Sequence, residues 1–229
     1  MKNLRLFVTS LLLLSVFTTF AQEKKEWDIR FRAIAIVPQE SATIGVIGGG
    51  VNISNTVVPE VDFTYFFAKN FSAELILATT RHKVNTTGSN LTAIGASSSA
   101  DVNLGKVWLL PPTLTLQYHV PTGCAVKPYI GAGVNYTFFY SADKGPTVRA
   151  IDYQNKFAFA TQAGVDYNIT KKVFLNLDLK KIFLSTNVTV DASNLTPAAN
   201  PELAPVLKNI PANVKINPWV IGAGVGFRL

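Results

Sequence analysis

Charge is what this sequence has least of. Only 15% of its 229 residues are Asp, Glu, Lys or Arg, against roughly 25% in a typical soluble domain, which argues against an ordinary water-covered surface. Long apolar helices are missing as well. Beyond the N-terminus the longest stretch without a charged residue, 107–126, is interrupted by Pro111, Pro112, Pro121 and Gly123. Proline removes a backbone donor and clashes with the preceding turn, so this stretch cannot be a spanning helix. The single cysteine, Cys124, excludes an intramolecular disulfide; in its Pro-Thr-Gly-Cys turn it reads as an incidental thiol. The two histidines, His82 and His119, lie far apart without ligand spacing, so no metal is expected. Gly48–Gly50 and the glycines from Gly222 to Gly226 precede no helix that would offer an anion site, so no phosphate cofactor is expected either.

The N-terminus carries a different signal. Lys2 and Arg5 precede an apolar stretch over 6–17, and Thr19-Phe20-Ala21 places small residues at −3 and −1. These features predict a secretory signal peptide over 1–21, cut after Ala21 and too short to span a membrane. The mature domain is then 22–229. Losing Lys2 and Arg5 from 21 Lys+Arg still leaves an excess over 14 Asp+Glu. That excess, including Lys171-Lys172 and Lys180-Lys181, suits lipid phosphates at a membrane surface or plain solvation. Nothing in it points to nucleic acid.

What the mature chain does contain is strand periodicity, in eight segments of about the 9–11 residues that cross a bilayer at a tilt. The first, 27–37, sets Trp27, Ile29, Phe31, Ala33, Ala35 and Val37 on one face. The second, 57–67, aligns Val61, Phe63, Tyr65 and Phe67. The third covers 71–82 and the fourth 109–120, with a Thr-Leu-Thr-Leu alternation at its centre. The fifth, 127–139, aligns Ile130, Ala132, Val134, Tyr136 and Phe138; the sixth, 154–168, aligns Phe157, Phe159, Ala163, Val165 and Tyr167. In the seventh, 172–184, Val173, Leu175, Leu177 and Leu179 alternate with Phe174, Asn176, Asp178 and Lys180. The eighth, 214–229, aligns Trp219, Ile221, Ala223, Val225 and Phe227.

Connectors of two lengths separate these segments. Long ones (38–56, 83–108, 140–153 and 185–213) follow the odd strands, and short ones (68–70, 121–126 and 169–171) follow the even strands. Long extracellular loops opposite short periplasmic turns, with an even strand number, mark an outer-membrane barrel. An open edge in lipid would leave backbone groups unpaired, so the sheet must close. The expected fold is all-β: an eight-stranded antiparallel transmembrane β-barrel. A soluble sandwich or lipocalin-like barrel would turn its apolar face inward; here the broad, aromatic face is apolar and charges lie on the other.

Several motifs in order resemble the outer-membrane protein W (OmpW) family: Arg81-His82-Lys83, Leu110-Pro111-Pro112-Thr113-Leu114, the run from Lys127 to Thr137, Gly164-Val165-Asp166-Tyr167, and Asn217-Pro218-Trp219. The similarity covers essentially the whole mature chain. It implies an eight-stranded outer-membrane barrel whose narrow apolar interior passes small apolar molecules. One departure is the terminus, Gly226-Phe227-Arg228-Leu229, where such barrels commonly end in Phe. The apolar face continues through Phe227 and Leu229, so recognition by the barrel assembly machinery is expected to persist.

Strand polarity gives each inward residue a height. With a periplasmic N-terminus, the lower lumen receives Asp28, Arg30, Arg32, Asp62, Glu74, Gln117, His119, Asp166, Asp178 and Arg228. The signs are mixed, as a paired network requires, because isolated buried charges cost several kcal/mol each. An eight-stranded barrel is just wide enough for side chains to fill it, with Phe66, Tyr129 and Phe174 beside the strand glycines, so this half should be a polar plug. The upper lumen receives Ile34, Ile36, Val58, Ile76, Leu109, Phe139, Ile182, Leu184, Val214 and Ile216, joined by Ala78, Ala158 and Ala160.

An apolar lumen above a charged one is unlike a diffusive porin. It fits a narrow hydrophobic channel or vestibule that takes a small hydrophobic ligand from outside and releases it sideways into the membrane. Two alternatives stand beside it: a structural or surface-receptor barrel with a packed, non-conducting lumen, and a lipid A-modifying enzyme built on His82 with Ser97, Ser98 or Ser99. No carboxylate is clearly paired with His82 and no catalytic constellation is assembled, so a non-enzymatic protein is expected. Its other expected partners are outer-membrane lipids, lipopolysaccharide included.

Overall fold

Alternating side chains in an antiparallel ladder give every strand two chemically distinct faces, and here the apolar face turns outward. The computed structural model describes residues 26–229; the expected leader over 1–21 and the boundary at residue 22 lie outside the described residues. The strands in order are β1 (Glu26–Val37), β2 (Ser41–Ile44), β3 (Gly50–Ile53), β4 (Thr56–Ala68), β5 (Phe71–Ala78), β6 (Thr80–Thr87), β7 (Asn103–Leu110) and β8 (Thr113–His119). They continue as β9 (Val126–Lys144), β10 (Ala150–Tyr153), β11 (Lys156–Asn168), β12 (Val173–Phe183), β13 (Ser185–Asp191), β14 (Ile210–Lys215) and β15 (Trp219–Arg228). A single helical turn, α1 (Ala204–Lys208), precedes β14.

Eight of these strands form a closed ring in the order β1-β4-β5-β8-β9-β11-β12-β15, with every pairing antiparallel and β15 returning to β1. Closure satisfies the backbone without leaving an edge in lipid. On the outer wall Phe31 is 55% exposed, Leu116 63% and Leu177 59%, whereas inward Arg30 and Glu74 are fully buried. In water such a surface would forfeit about 25 cal/mol for each apolar Å² left uncovered; against hydrocarbon it is the stable orientation. Aromatic pairs border this band. Trp27–Tyr65 (4.8 Å) and Phe71–Tyr118 (5.1 Å) lie near the short turns, and Tyr136–Phe157 (4.4 Å) and Trp108–Tyr140 (6.5 Å) near the long connectors.

The long connectors are where expectation and structure part. Much of 38–56, 83–108, 140–153 and 185–213 is strand rather than loop. Seven of the eight staves break and resume above the break: β1 into β2 at 38–40, β3 into β4 at 54–55, β5 into β6 at Thr79, β7 into β8 at Pro111-Pro112, β10 into β11 at 154–155, β12 into β13 at Leu184, and β14 into β15 at residues 216–218, where Asn217 has φ +38°; only β9 runs through. Above the breaks two four-stranded ladders, β3-β6-β7-β9 and β2-β14-β13-β10, raise the wall beyond the membrane. The segments were not expected because their chemistry inverts. Along β13, Ser185, Asn187 and Thr189 are exposed while Thr186, Val188 and Val190 are buried. On β6, Arg81 and Lys83 are exposed while His82 and Val84 are buried. Polar residues outside and apolar residues inside suit water, so the barrel is inverted within the bilayer and conventional above it.

Two glycines set how tightly the lower barrel fills. A Cβ on Gly164 would collide with the Tyr129 ring, and one on Gly226 with the Phe174 ring; both rings are buried. Gly164→Val and Gly226→Val should therefore each lose about 1–3 kcal/mol through overpacking. Urea unfolding in lipid checks this. An unshifted midpoint would mean that the rings do not depend on the glycines for their places.

Candidate functional site

The lower half of the lumen is a solid network of charge. Arg32 is its hub: Nε lies 2.8 Å from Glu60, Nη2 lies 2.8 Å from Asp62 and 3.0 Å from Glu74, and Nη1 lies 3.6 Å from Asp178. Arg30 reaches Glu74 (3.0 Å), Asp166 (3.2 Å) and Asp62 (3.3 Å), with its guanidinium 5.5 Å from the Tyr129 ring and 5.4 Å from the Phe174 ring. Neutral donors reach further carboxylate oxygens of the network. Gln117 and Gln162 donate to Glu74 at 2.8 and 2.7 Å, and the Tyr129 hydroxyl donates to Asp178 at 2.7 Å. Satisfying the remaining lone pairs is what makes buried ion pairs tolerable.

All ten residues assigned to the lower lumen face inward, though they do not form one cluster. Asp62, Glu74, Gln117, Asp166 and Asp178 join the two arginines. His119 pairs with Ser72 (2.9 Å) beside the Phe66 ring. Arg228 sits at the periplasmic rim, hydrogen-bonded to Asn168 (2.7 Å), and Asp28 is buried with no hydrogen-bond partner for either oxygen among the described residues. Two charged members were not foreseen. Glu60 accepts from Arg32, and Lys180 bridges Glu60 (3.3 Å) and Asp178 (2.5 Å). Lys180, expected to meet lipid phosphates or solvent, is therefore corrected to a buried residue. Its even position beside Asp178 on β12 carried that information; Lys181, its neighbour, does face outward, 4.7 Å from the Trp219 ring.

Directly above this network lies an apolar cavity of about 140 Å³. A dry, engineered cavity of about 150 Å³ in another protein holds one benzene, so the free space here is that of a single small ring. Ile34, Ile36, Ile76, Leu109, Phe139, Ile182, Leu184, Val214 and Ile216 line it, with Glu60 and Lys180 as its polar contacts toward the plug. Val58, also expected there, packs against the neighbouring Ile34–Ile182 cluster instead. Ala78 lines the cavity, while Ala158 and Ala160 belong to that cluster. The upper ladders extend the lining with Val84, Val107, Val188 and Ile210, and the connectors close over it with Ile47, Leu91, Leu195 and Leu207. None of the connector residues could be placed from strand periodicity. Tyr153 of β10 stacks on Phe139 (5.3 Å), and burial pushes its phenol well above the ordinary range, so it stays neutral.

His82 lines the cavity too, with Nδ1 2.7 Å from the Ser54 carbonyl oxygen. Ser97 and Ser99 bond to each other within their own loop.

The sequence profile of the OmpW family matches residues 23–229. The chain belongs to the OmpW family. An uncharacterized outer-membrane protein, y4mB of Sinorhizobium fredii, is 40% identical over 203 residues, covering 88% of this chain and 79% of that one. The dibenzothiophene metabolism operon protein PahQ of Pseudomonas aeruginosa is 26% identical over 196 residues, or 82% and 87% of the two chains. The crystal structure of OprG from Pseudomonas aeruginosa shares the fold, with a TM-score of 0.75 at 24% identity over 90% of this chain and 97% of that one. This OmpW-family barrel is accordingly a protein of the cell outer membrane.

Proposed function

We propose that this barrel carries small apolar molecules passively from the cell exterior into the outer membrane, without catalysis. The observation behind the reading is the abrupt change from a mainly apolar cavity to a paired-charge plug within one lumen. An apolar molecule entering from outside finds favourable surroundings as far as Glu60 and Lys180, and below them a network that it would have to unpair. Release must then be lateral. A relative named for dibenzothiophene metabolism fits an apolar aromatic cargo.

Pro111 and Pro112 mark the exit this reading favours. The β5–β8 ladder stops at Ile76 and Thr113, and the β6–β7 ladder begins at Thr80 and Leu109. Between them two prolines supply no N–H donors, and the Asn135 amide donates to the Pro111 carbonyl (3.0 Å) and to Thr113 Oγ1 (2.9 Å). Pro111 lines the cavity, and neighbouring Leu110 is exposed on the lipid side. The Pro111→Ala/Pro112→Ala double variant restores two donors and should slow delivery of an apolar fluorescent probe to the bilayer severalfold while leaving its binding unchanged. Unchanged delivery would move the exit elsewhere; lost binding and delivery together would mean that the cavity itself had collapsed.

A further inference from the structure

The outer face of the β6–β7–β9 ladder carries cations that the transport reading does not use. Arg81 stands opposite Trp108 in the ladder, with its guanidinium 4.8 Å from that ring and 2.8 Å from the Asp143 carboxylate. One step higher, Lys83 stands directly opposite Lys106, which is opposite Asp143 on the other side. Like charges facing each other across a ladder are destabilising. Among the described residues neither ammonium has a carboxylate within ion-pair distance, and Asp143, the acid opposite Lys106, is already held by Arg81. Arg81 stands level with Trp108 and the two lysines one step above it, at the border of the lipid-facing band, where headgroups begin. Below them the same wall offers Leu75, Leu110, Leu114 and Phe138, all exposed.

We propose that this face binds the phosphorylated headgroup of an outer-leaflet glycolipid, with phosphate between Lys83 and Lys106 and acyl chains along the apolar wall beneath. The phosphate removes the Lys83–Lys106 repulsion. A lipid meets both the charge and the apolar wall, which a soluble phosphate does not. The site is independent of the cavity, on the opposite side of the barrel wall, so transport and lipid binding are separable.

The test is retention of bisphosphorylated lipid A by the detergent-purified barrel, measured by native mass spectrometry. Wild type should retain it, and the Lys83→Gln/Lys106→Gln variant should retain about tenfold less. Both side chains are outside the core and the substitution removes their mutual repulsion, so the variant should unfold at a midpoint no lower than the wild type's. A Lys171→Gln/Lys172→Gln variant at the periplasmic turn should behave as wild type. Dephosphorylated lipid A should be retained no better by wild type than by the variant, and excess inorganic phosphate should displace the lipid only weakly. Equal retention by wild type and the Lys83/Lys106 variant would overturn the proposal, as would retention indifferent to the lipid's phosphates.

Discussion

Ile34→Arg and Ile216→Arg should each cut uptake of a small apolar probe by about tenfold or more. Ile34 is 2% exposed on β1, two residues above Arg32, and Ile216 lies at the break between β14 and β15; both line the cavity. An arginine at either position places a charge in a wall with almost no free acceptor. The nearest carboxylate along the plug, Glu60, is engaged by Arg32 and Lys180. A buried charge without a partner is costly and draws in water, and the guanidinium would also fill space sized for about one small ring. Ile34→Leu conserves volume and should keep uptake near wild type. Uptake assays in cells expressing each variant at matched levels decide the matter. If Ile34→Arg takes up the probe at the wild-type rate, uptake does not run through this cavity and these isoleucines pack a core.

The second large effect is on stability. Arg32→Met should destabilise the folded barrel by about 3–5 kcal/mol, because removing one partner of a buried ion pair leaves its counter-charges exposed to the low-dielectric interior. Four carboxylates lie within 3.6 Å of Arg32, so the loss is larger than for a single pair. Adding Glu74→Gln should recover part of it, since Glu74 then needs no cation and its neighbours Gln117 and Gln162 can reorient. Urea unfolding in lipid checks both steps. An Arg32→Met midpoint equal to wild type would mean that the plug is hydrated rather than paired. The exposed Arg81–Asp143 bridge provides the contrast: surface pairs are worth about 0–1 kcal/mol, so Arg81→Met should hardly move the midpoint.

Strand periodicity made the lower barrel legible because lipid and lumen impose opposite chemistry on alternate residues. That is how Arg30, Arg32, Glu74 and Asp178 could be placed inward without a structure. The same template hid β6, β13 and β14. Their parity continues unbroken from the membrane strands, but water replaces lipid outside, so Ser185, Asn187 and Thr189 resemble a loop to a search for outward apolar residues. Lys180 was readable from its parity with Asp178, yet its neighbour Lys181 made the pair look like surface charge. The connector residues that close the cavity, Leu91, Leu195 and Leu207, follow no period. Their positions depend on long-range packing, which local patterning does not encode. The family motifs compensated only in part: they implied an apolar interior and were silent on how high above the membrane it extends.

Transfer of an apolar fluorescent probe and leakage of ions, followed together in vesicles with a lipopolysaccharide outer leaflet, test the cavity-over-plug arrangement most directly. The wild-type barrel should speed arrival of the probe in the bilayer severalfold over protein-free vesicles, with ion leakage unchanged. Ion leakage without faster probe arrival would show an open aqueous pore and contradict it.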